Sequence, residues 1–183
     1  KTAQGNQDGN DIGDFYYTPP TGFVALCSDN LSDPSIADST AYFNTVTWTG
    51  SGSSPRSITG VGFQPDFLWI KDRVAANNHV LTDVVRGSSG LLYSNATTAE
   101  VTGAAQVSSY DSDGFTLGTT TYVNENGSSN TYVGWNWKCA DSFDPTSGAT
   151  VTTASGKRNV DAGMAIIAWT GTGSDVTISH GLG

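Results

Sequence analysis

Short apolar or alternating runs, separated by turn residues, dominate this chain. Residues 132–138 alternate, so that Val133, Trp135 and Trp137 share one face, which we expect to be the core face. Residues 67–71 form a nearly continuous apolar run, which predicts a strand buried on both faces. Apolar residues at helical spacing are missing, and turn signals are frequent. The pattern predicts an all-β chain of antiparallel β-sandwich or jelly-roll-like modules in tandem, with little helix.

Two parts of the chain repeat each other at an offset of 121 positions. The segment TWTGSGS at residues 47–53 returns as AWTGTGS at residues 168–174, and GVG at residues 60–62 returns as GLG at residues 181–183. Both matches keep one register, so we interpret them as copies of one module. In the first copy the GVG segment leads into the strongest apolar run, whereas the second copy stops there. We therefore expect that more chain follows or that these strands pair with another partner.

These features divide most of the chain into predicted segments. Residues 41–140 are expected to form a complete β-sandwich repeat, residues 141–162 a Ser/Thr/Gly-rich linker, and residues 163–183 the truncated start of the second copy. Upstream, residues 15–17 predict a short strand and residues 23–27 a buried strand.

Composition restricts the partners of the chain. Charged residues make up 14% of it and the net charge is −9. Clustered Lys and Arg are missing, so we do not expect nucleic-acid binding. No apolar run approaches the roughly 20 residues that span a bilayer, so we do not expect membrane insertion. The two cysteines, Cys27 and Cys139, lie far apart in apolar stretches, which favours buried free thiols over a disulfide.

Four oxygen-bearing side chains crowd into a Gly-rich stretch near the start of the chain: Asp8, Asn10, Asp11 and Asp14. Hard cations such as calcium take several oxygen ligands from one loop, so a calcium site is one hypothesis. The closing Glu of an EF-hand loop is missing. The alternative is a solvated turn in which Asp and Asn bond to the local backbone. Calcium is thus the one cofactor that the sequence leaves open.

A second polar group surrounds the strongest predicted strand: Lys71, Asp72, Arg73, His79, Asp83 and Arg86. We expect a structural ion-pair network that fixes the connection between strands, with Arg86 bidentate to a carboxylate. The alternative is a catalytic site with His79 as acid or base and Asp83 as its orienting partner. Because the nucleophile-elbow pattern is missing, and no spacing singles out a pair of facing carboxylates, we predict that the chain is not an enzyme.

The tryptophans are candidate contact residues. Trp48 and its repeat counterpart Trp169 lie at predicted strand ends beside turns. Both are therefore predicted to lie at an exposed rim, as platforms for a glycan or as contacts between subunits.

Several motifs together resemble a module found in structural and tail-fibre proteins of phages from marine bacteria and cyanobacteria. They are GDFYYTPPTGFVALC at residues 13–27, VTWTG at 46–50, GFQPDFLWIK at 62–71, His79, DVVRG at 83–87, SDGF at 112–115 and YVGWNWK at 132–138. The resemblance covers nearly the whole chain. It implies that residues 1–33 are the C-terminal part of a lectin-like (concanavalin/SPRY-like) sandwich plus a linker.

The resemblance implies a location and a structural role. The leading hypothesis is a structural segment of a virion appendage, such as a tail fibre, that contributes to attachment at the host surface. Its expected partners are other copies of itself, with a trimer favoured, other virion proteins, and a host-surface glycan. The expected location is virion or extracellular. The alternative is a carbohydrate-binding module of a secreted bacterial protein.

Overall fold

The structure is a computed structural model that describes residues 2–103, 106–118, 120–125 and 129–183. The chain divides into two compact units, Lys1–Ala37 and Asp38–Gly183. Within the described ranges, none of the helical segments has the length and apolar character needed to span a bilayer.

The described residues contain eleven strands, one α-helix and two 3-10 turns. In chain order the strands and the α-helix are β1 (Phe43–Thr49), β2 (Arg56–Thr59), β3 (Phe67–Asp72), β4 (Val80–Asp83), β5 (Gly87–Tyr93), β6 (Val107–Asp111), β7 (Gly114–Leu117), α1 (Thr121–Asn124), β8 (Thr131–Trp137), β9 (Asp141–Phe143), β10 (Ala154–Asn159) and β11 (Met164–Trp169). The prediction of an all-β chain with little helix is confirmed.

Two antiparallel sheets enclose the core of the second unit. One has five strands in the order β1-β8-β3-β4-β5, and the other has three in the order β2-β7-β6. Buried apolar side chains from both sheets form one cluster, including Leu68 and Ile70 of β3 and Phe115 of β7. This arrangement is a β-sandwich, because each sheet buries one face against the other. A third antiparallel sheet, in the order β11-β10-β9, follows it in the chain.

Strand β8 alternates as predicted, but with its faces reversed. Tyr132, Gly134 and Asn136 are buried, whereas Trp135 and Trp137 are only half-buried on the outer face. The prediction that Trp135 and Trp137 face the core is therefore wrong. The inner face needs a residue without a side chain, since a Cβ atom at Gly134 would lie 3.1 Å from the Trp48 ring.

Strand β3 also alternates in burial. Leu68, Ile70 and Asp72 are buried, whereas Phe67 and Trp69 are half-buried. The prediction of burial on both faces is therefore wrong, because the inner face alone lies in the core between the two sheets of the sandwich.

The first unit contains little regular structure. Phe15 forms an isolated antiparallel bridge with Asn6, and no strand is formed over residues 23–27. Phe23 and Leu26 are 68% and 98% exposed, so the prediction of a buried strand is wrong. The reason is that the backbone of this segment bonds to side chains instead of a sheet: the N–H of Ala25 donates to Asp8 (2.7 Å).

The predicted linker at residues 141–162 contains β9 and β10, so the expectation of a segment without strands is wrong. The polar composition of this segment resembles that of a loop, although its residues make cross-strand contacts. The guanidinium of Arg158 lies 5.4 Å from the centre of the Phe143 ring, and Gly156 makes room for that ring. The strand predicted near residue 164 is present as β11. The boundaries of the repeats stay predictions.

Both cysteines are free thiols. Cys139 is buried, whereas Cys27 is only partly buried. Burial raises the pKa of the Cys139 thiol to about 12, with a smaller contribution from the Asp66 carboxylate.

Candidate functional site

Trp48 lies in the core of the sandwich. Its indole Nε1–H donates to the Val123 carbonyl oxygen (2.9 Å), and its ring stacks on Tyr132 with the centroids 5.7 Å apart. Phe115 meets the same ring edge-on at 5.6 Å. The prediction that Trp48 lies at an exposed rim is therefore wrong, because the turn beside it is folded against α1 and the indole offers no free face to a ligand.

Trp169, the repeat counterpart of Trp48, has a different environment. It is the last residue of β11 and is 54% exposed. A Trp that is half in water presents a flat apolar ring face and an N–H donor to a partner. Of the two predicted contact residues, the structure therefore leaves only Trp169 accessible.

Trp169 borders an open groove of about 420 Å³. One wall is apolar and belongs to the five-stranded sheet, with Phe67, Leu81 and Leu92. The other wall is β11, with Ile166 and Trp169 among its lining residues. Such a mostly apolar groove with a few polar groups is the usual form of a small-ligand or peptide site.

The polar end of this groove is an ion-pair triad. Arg86 Nε and Nη2 both lie 2.7 Å from Asp83 Oδ2, and Nη1 lies 3.0 Å from Glu100 Oε1. The other Asp83 oxygen accepts the backbone N–H groups of Val85 (3.0 Å) and Arg86 (2.9 Å). Asp83 and Arg86 are thus held rigidly by the β4–β5 turn. The Glu100 carboxylate, 39% exposed, is the member of the triad that a ligand can reach.

The predicted polar cluster is split between the two ends of the β3–β4 hairpin. Asp83 pairs with Phe67 at one end, whereas Lys71 and Asp72 lie at the other. Buried Asp72 accepts the N–H groups of Val74 (2.8 Å) and Ala75 (2.9 Å) and the Asn77 amide (2.8 Å), so it organises the connecting loop. The Lys71 ammonium donates to the Asp72 and Ala75 carbonyl oxygens.

His79 and Arg73 belong to this loop end of the hairpin. The backbone N–H of His79 donates to the side-chain oxygen of Asn95 (2.9 Å), and the backbone N–H of Arg73 donates to the Thr131 carbonyl oxygen (2.7 Å). His79 precedes β4 and Asp83 ends it, so the structure does not bring together the acid–base pair considered above.

The four predicted calcium ligands are engaged within the first unit or lie apart. Asp8 accepts the N–H groups of Asn10 (2.9 Å), Ile12 (3.1 Å) and Ala25 (2.7 Å) and the Asn30 amide (2.7 Å). The Ala25 N–H is the main cause that lowers the pKa of Asp8 to about 2. Asp14 accepts the Gly5 N–H (2.7 Å).

Asn10 and Asp11 complete the turn. The Asn10 amide donates to Asn30 (2.7 Å), and Asp11 adopts a left-handed conformation with φ 60°. Among the described residues, no three acidic, His or Cys side chains gather closely enough to hold a metal ion. The geometry therefore supports the alternative, a turn in which Asp and Asn bond to the backbone.

Sequence reasoning missed one surface, which we call the outer aromatic face. It consists of Phe43, Phe67, Trp69, Trp135 and Trp137 on the side of the five-stranded sheet that points away from the core. The Trp137 ring lies 4.9 Å from Phe43 and 5.4 Å from Phe67, and Trp69 and Trp135 are 5.6 Å apart. Gly134 and Asn136, which alternate with Trp135 and Trp137, were the sequence signal that could have revealed this surface. When the face with small or amide side chains packs against the second sheet, the aromatic side chains lie on the outer face.

The comparisons with known proteins yield one match. Residues 38–183 match a family described as a domain of unknown function, DUF7483. No curated protein matches the chain, and no solved structure matches it. The matched segment coincides with the second compact unit, which contains the sandwich, the groove and the outer aromatic face. This chain therefore belongs to the DUF7483 family.

Proposed function

We propose that this chain is a structural segment of a virion appendage, such as a tail fibre, and that it acts by self-association and surface contact. The observation that carries the proposal is the outer aromatic face. Phe43, Trp137 and Phe67 stand side by side on three neighbouring strands, because Phe43 pairs with Trp137 and Trp137 pairs with Phe67. Contiguous aromatic surface of this kind marks sites of protein association.

Two further features support an assembly role. The repeat at residues 47–53 and 168–174 supports an arrangement of modules in a row. The resemblance to phage tail-fibre proteins supports the virion as the location. A homo-oligomer, with a trimer favoured, is the expected assembled form.

Sedimentation velocity over a range of protein concentrations tests this proposal. The chain is expected to self-associate, and Phe43→Lys is expected to abolish association while the variant stays folded, because Phe43 is partly exposed (38%) and lies outside the core. The matched control is Ser57→Lys, which adds the same charge to the exposed side of β2, on the opposite sheet. A chain that remains monomeric at every concentration, or an F43K variant that associates like the S57K control, would contradict the proposal.

A carbohydrate-binding module is the second candidate, and the exposed Trp169 favours it. Aromatic rings beside a groove with a reachable carboxylate suit a saccharide, since the ring stacks on the apolar sugar face and the carboxylate accepts its hydroxyl groups. Here Trp169 and Glu100 line the same groove.

A glycan array separates this candidate from the first. If it holds, the chain binds a defined set of glycans, Trp169→Ala abolishes the binding, and Trp169→Phe retains part of it because a flat ring remains. Absence of glycan binding in a chain that self-associates leaves the structural role as the function.

A further inference from the structure

The connection between the sandwich and the third sheet is short and has a buried centre. β8 ends at Trp137 and β9 begins at Asp141, so residues 138–140 alone join them, and we call these residues the connector. Cys139, in the middle of the connector, is fully buried. A flexible Gly/Ser-rich linker behaves as a solvated coil. The connector differs from such a linker, because its central residue packs inside the protein.

Asp66 holds the connector from the side of the sandwich. Its Oδ2 accepts the backbone N–H of Cys139 (2.7 Å). The backbone of Asp66 is itself fixed, because its N–H donates to the Trp137 carbonyl oxygen (2.8 Å) and its carbonyl oxygen accepts the Val84 N–H (3.0 Å). The Asp66 carboxylate, in a residue that is only 2% exposed, is therefore a fixed point of the sandwich.

The other oxygen of this carboxylate reaches the third sheet. Asp66 Oδ1 lies 3.1 Å from Lys157 Nζ. Lys157 belongs to β10, the central strand of the third sheet, where it pairs with Ser142 of β9 and Ile166 of β11. One buried carboxylate thus contacts both the connector and the centre of the sheet that follows it.

Two further contacts fasten the connector to the same sheet. Asn159 Nδ2, at the end of β10, donates to the Lys138 carbonyl oxygen (3.3 Å), and Asn159 Oδ1 accepts the Ala162 N–H (3.0 Å). The Cys139 thiol lies 3.9 Å from the carbonyl oxygen of Met164, the first residue of β11. The connector therefore touches both of the longer strands of the third sheet.

We propose that the Asp66–Lys157 ion pair is a latch that fixes the orientation of the third sheet on the sandwich. The latch makes the joint between the first module and the predicted second copy, which begins with β11, a rigid one. The inference rests on the proposed function in one respect, that the modules stand in a row. In such a row each module contacts only its neighbours, so the angle held at each joint sets the shape and stiffness of the appendage.

An ion pair at this position suits a joint that must not slide. Apolar contact is non-directional, whereas the two Asp66 oxygens point to different partners, and a shift of the third sheet would break one of the two bonds. Removal of one member of a buried ion pair leaves the other charge uncompensated and is strongly unfavourable. Opening of the joint is therefore opposed by the burial of Asp66 as well as by its attraction to Lys157.

Double electron–electron resonance between spin labels on the two sides of the joint tests the proposal. The labels are attached at Ser57→Cys on β2 and Ser155→Cys on β10, both exposed positions, in a Cys27→Ser background. Cys139 stays in place, because a buried thiol whose pKa is raised to about 12 does not react with the label. Dilution with unlabelled chain restricts the measurement to distances within one chain. The native sequence should give one narrow distance distribution.

Lys157→Met breaks the latch and keeps an unbranched apolar side chain in its place. The distance distribution should broaden, and hydrogen exchange of the Cys139 amide should accelerate by roughly tenfold or more, because the buried carboxylate has lost its partner. Lys157→Arg, which retains a cationic donor, should keep the distribution narrow. The matched control is Lys138→Met, which removes an ammonium group from the connector that makes no ion pair within the described ranges. It should change neither the distance distribution nor the exchange rate.

Three results would overturn the latch. They are a broad distribution in the native chain, a K157M distribution as narrow as that of K138M, and a loss of protection at the amides between β10 and β11 in K157M. The last result would show that Lys157 stabilises the third sheet itself and not its joint with the sandwich.

The latch and the proposed function fail separately. A narrow distribution that depends on Lys157, in a chain that never self-associates, would support the latch and contradict the proposed function. A broad distribution in a chain whose self-association depends on Phe43 would overturn the latch and leave the proposed function standing.

Discussion

At the scale of single residues, the environment decides what a side chain does. Trp48 and Trp169 occupy equivalent positions in a repeated segment, yet one is a core residue and the other is half exposed. The difference lies in what surrounds them: Trp48 has Tyr132 and Phe115 against its ring. The contribution that Trp48 makes to stability is therefore not expected of Trp169.

Truncation of the two tryptophans should have unequal effects on stability. Trp48→Ala removes a buried ring and its hydrogen bond to Val123, so the free energy of unfolding should fall by about 3–5 kcal/mol. Trp169→Ala should lower it by less, about 1–2 kcal/mol, because only about half of the ring is buried. Urea denaturation followed by circular dichroism measures both. Equal losses for the two variants would show that the two tryptophans do not differ in burial.

The carboxylate of Asp8 gives the first unit a dependence on pH. Its pKa is lowered to about 2 from an ordinary value of 3.8, chiefly by the Ala25 N–H. A group whose pKa is depressed by folding stabilises the fold above its unfolded pKa, and this stabilisation is lost as the pH falls towards its folded pKa. The turn should therefore loosen between about pH 4 and pH 2.

The nuclear magnetic resonance shift of the Ala25 amide measures this transition. In the native chain the shift should move as the pH falls through that window, because protonated Asp8 loses its charge-assisted bond to Ala25. Asp8→Asn should remove this pH-dependent change in the Ala25 amide shift. Asp29→Asn, which alters an exposed carboxylate, should retain it. A step that persists in D8N would assign the transition to another group.

At the scale of elements, the position of a strand is easier to predict than the face that it buries. Strands β3 and β8 lie where their apolar runs predict them, since strand formation depends on local composition. The buried face depends on contacts with distant residues. In β8 it is set by Gly134, which makes room for Trp48, a residue far away in sequence.

The same physical reason limits prediction of the site. β9 and β10 were missed because Ser, Thr and Gly resemble loop composition, and their pairing depends on the opposite strand. The groove combines Leu92, Glu100 and Trp169, which no local pattern connects. The exposed position of Trp169 agrees with the sequence-based prediction. The polar residues around β3, which are close in sequence, lie at two different ends of the β3–β4 hairpin and so do not form one cluster.

Gly134 offers a test of the assigned face of β8. In Gly134→Ala the new Cβ would lie 3.1 Å from the Trp48 ring and 3.6 Å from the Phe115 ring, inside a packed core. Overpacking should lower the free energy of unfolding by about 1–3 kcal/mol, measured by urea denaturation. Gly171→Ala, where a Cβ meets nothing within 4 Å, is the control and should have little effect. An unchanged G134A variant would mean that this face of β8 is not tightly packed.

At the scale of the whole molecule, the outer aromatic face is the feature that supports the proposed assembly role. The second unit contains a sandwich with an aromatic outer face, and it also contains a third sheet in which β11 is an edge strand among the described strands. Lateral association through the aromatic face is consistent with a fibre built from repeated units.

The most direct test of the central claim is to locate the chain in the particle. Antibodies raised against residues 38–183 can be applied to virions from the source that encodes the chain, and gold-labelled for electron microscopy. Gold is expected on the appendages, and the labelling should be lost when the serum is first absorbed with the purified chain. Intact virions that stay unlabelled, with the antigen found only in the secreted soluble fraction, would contradict the proposed virion role.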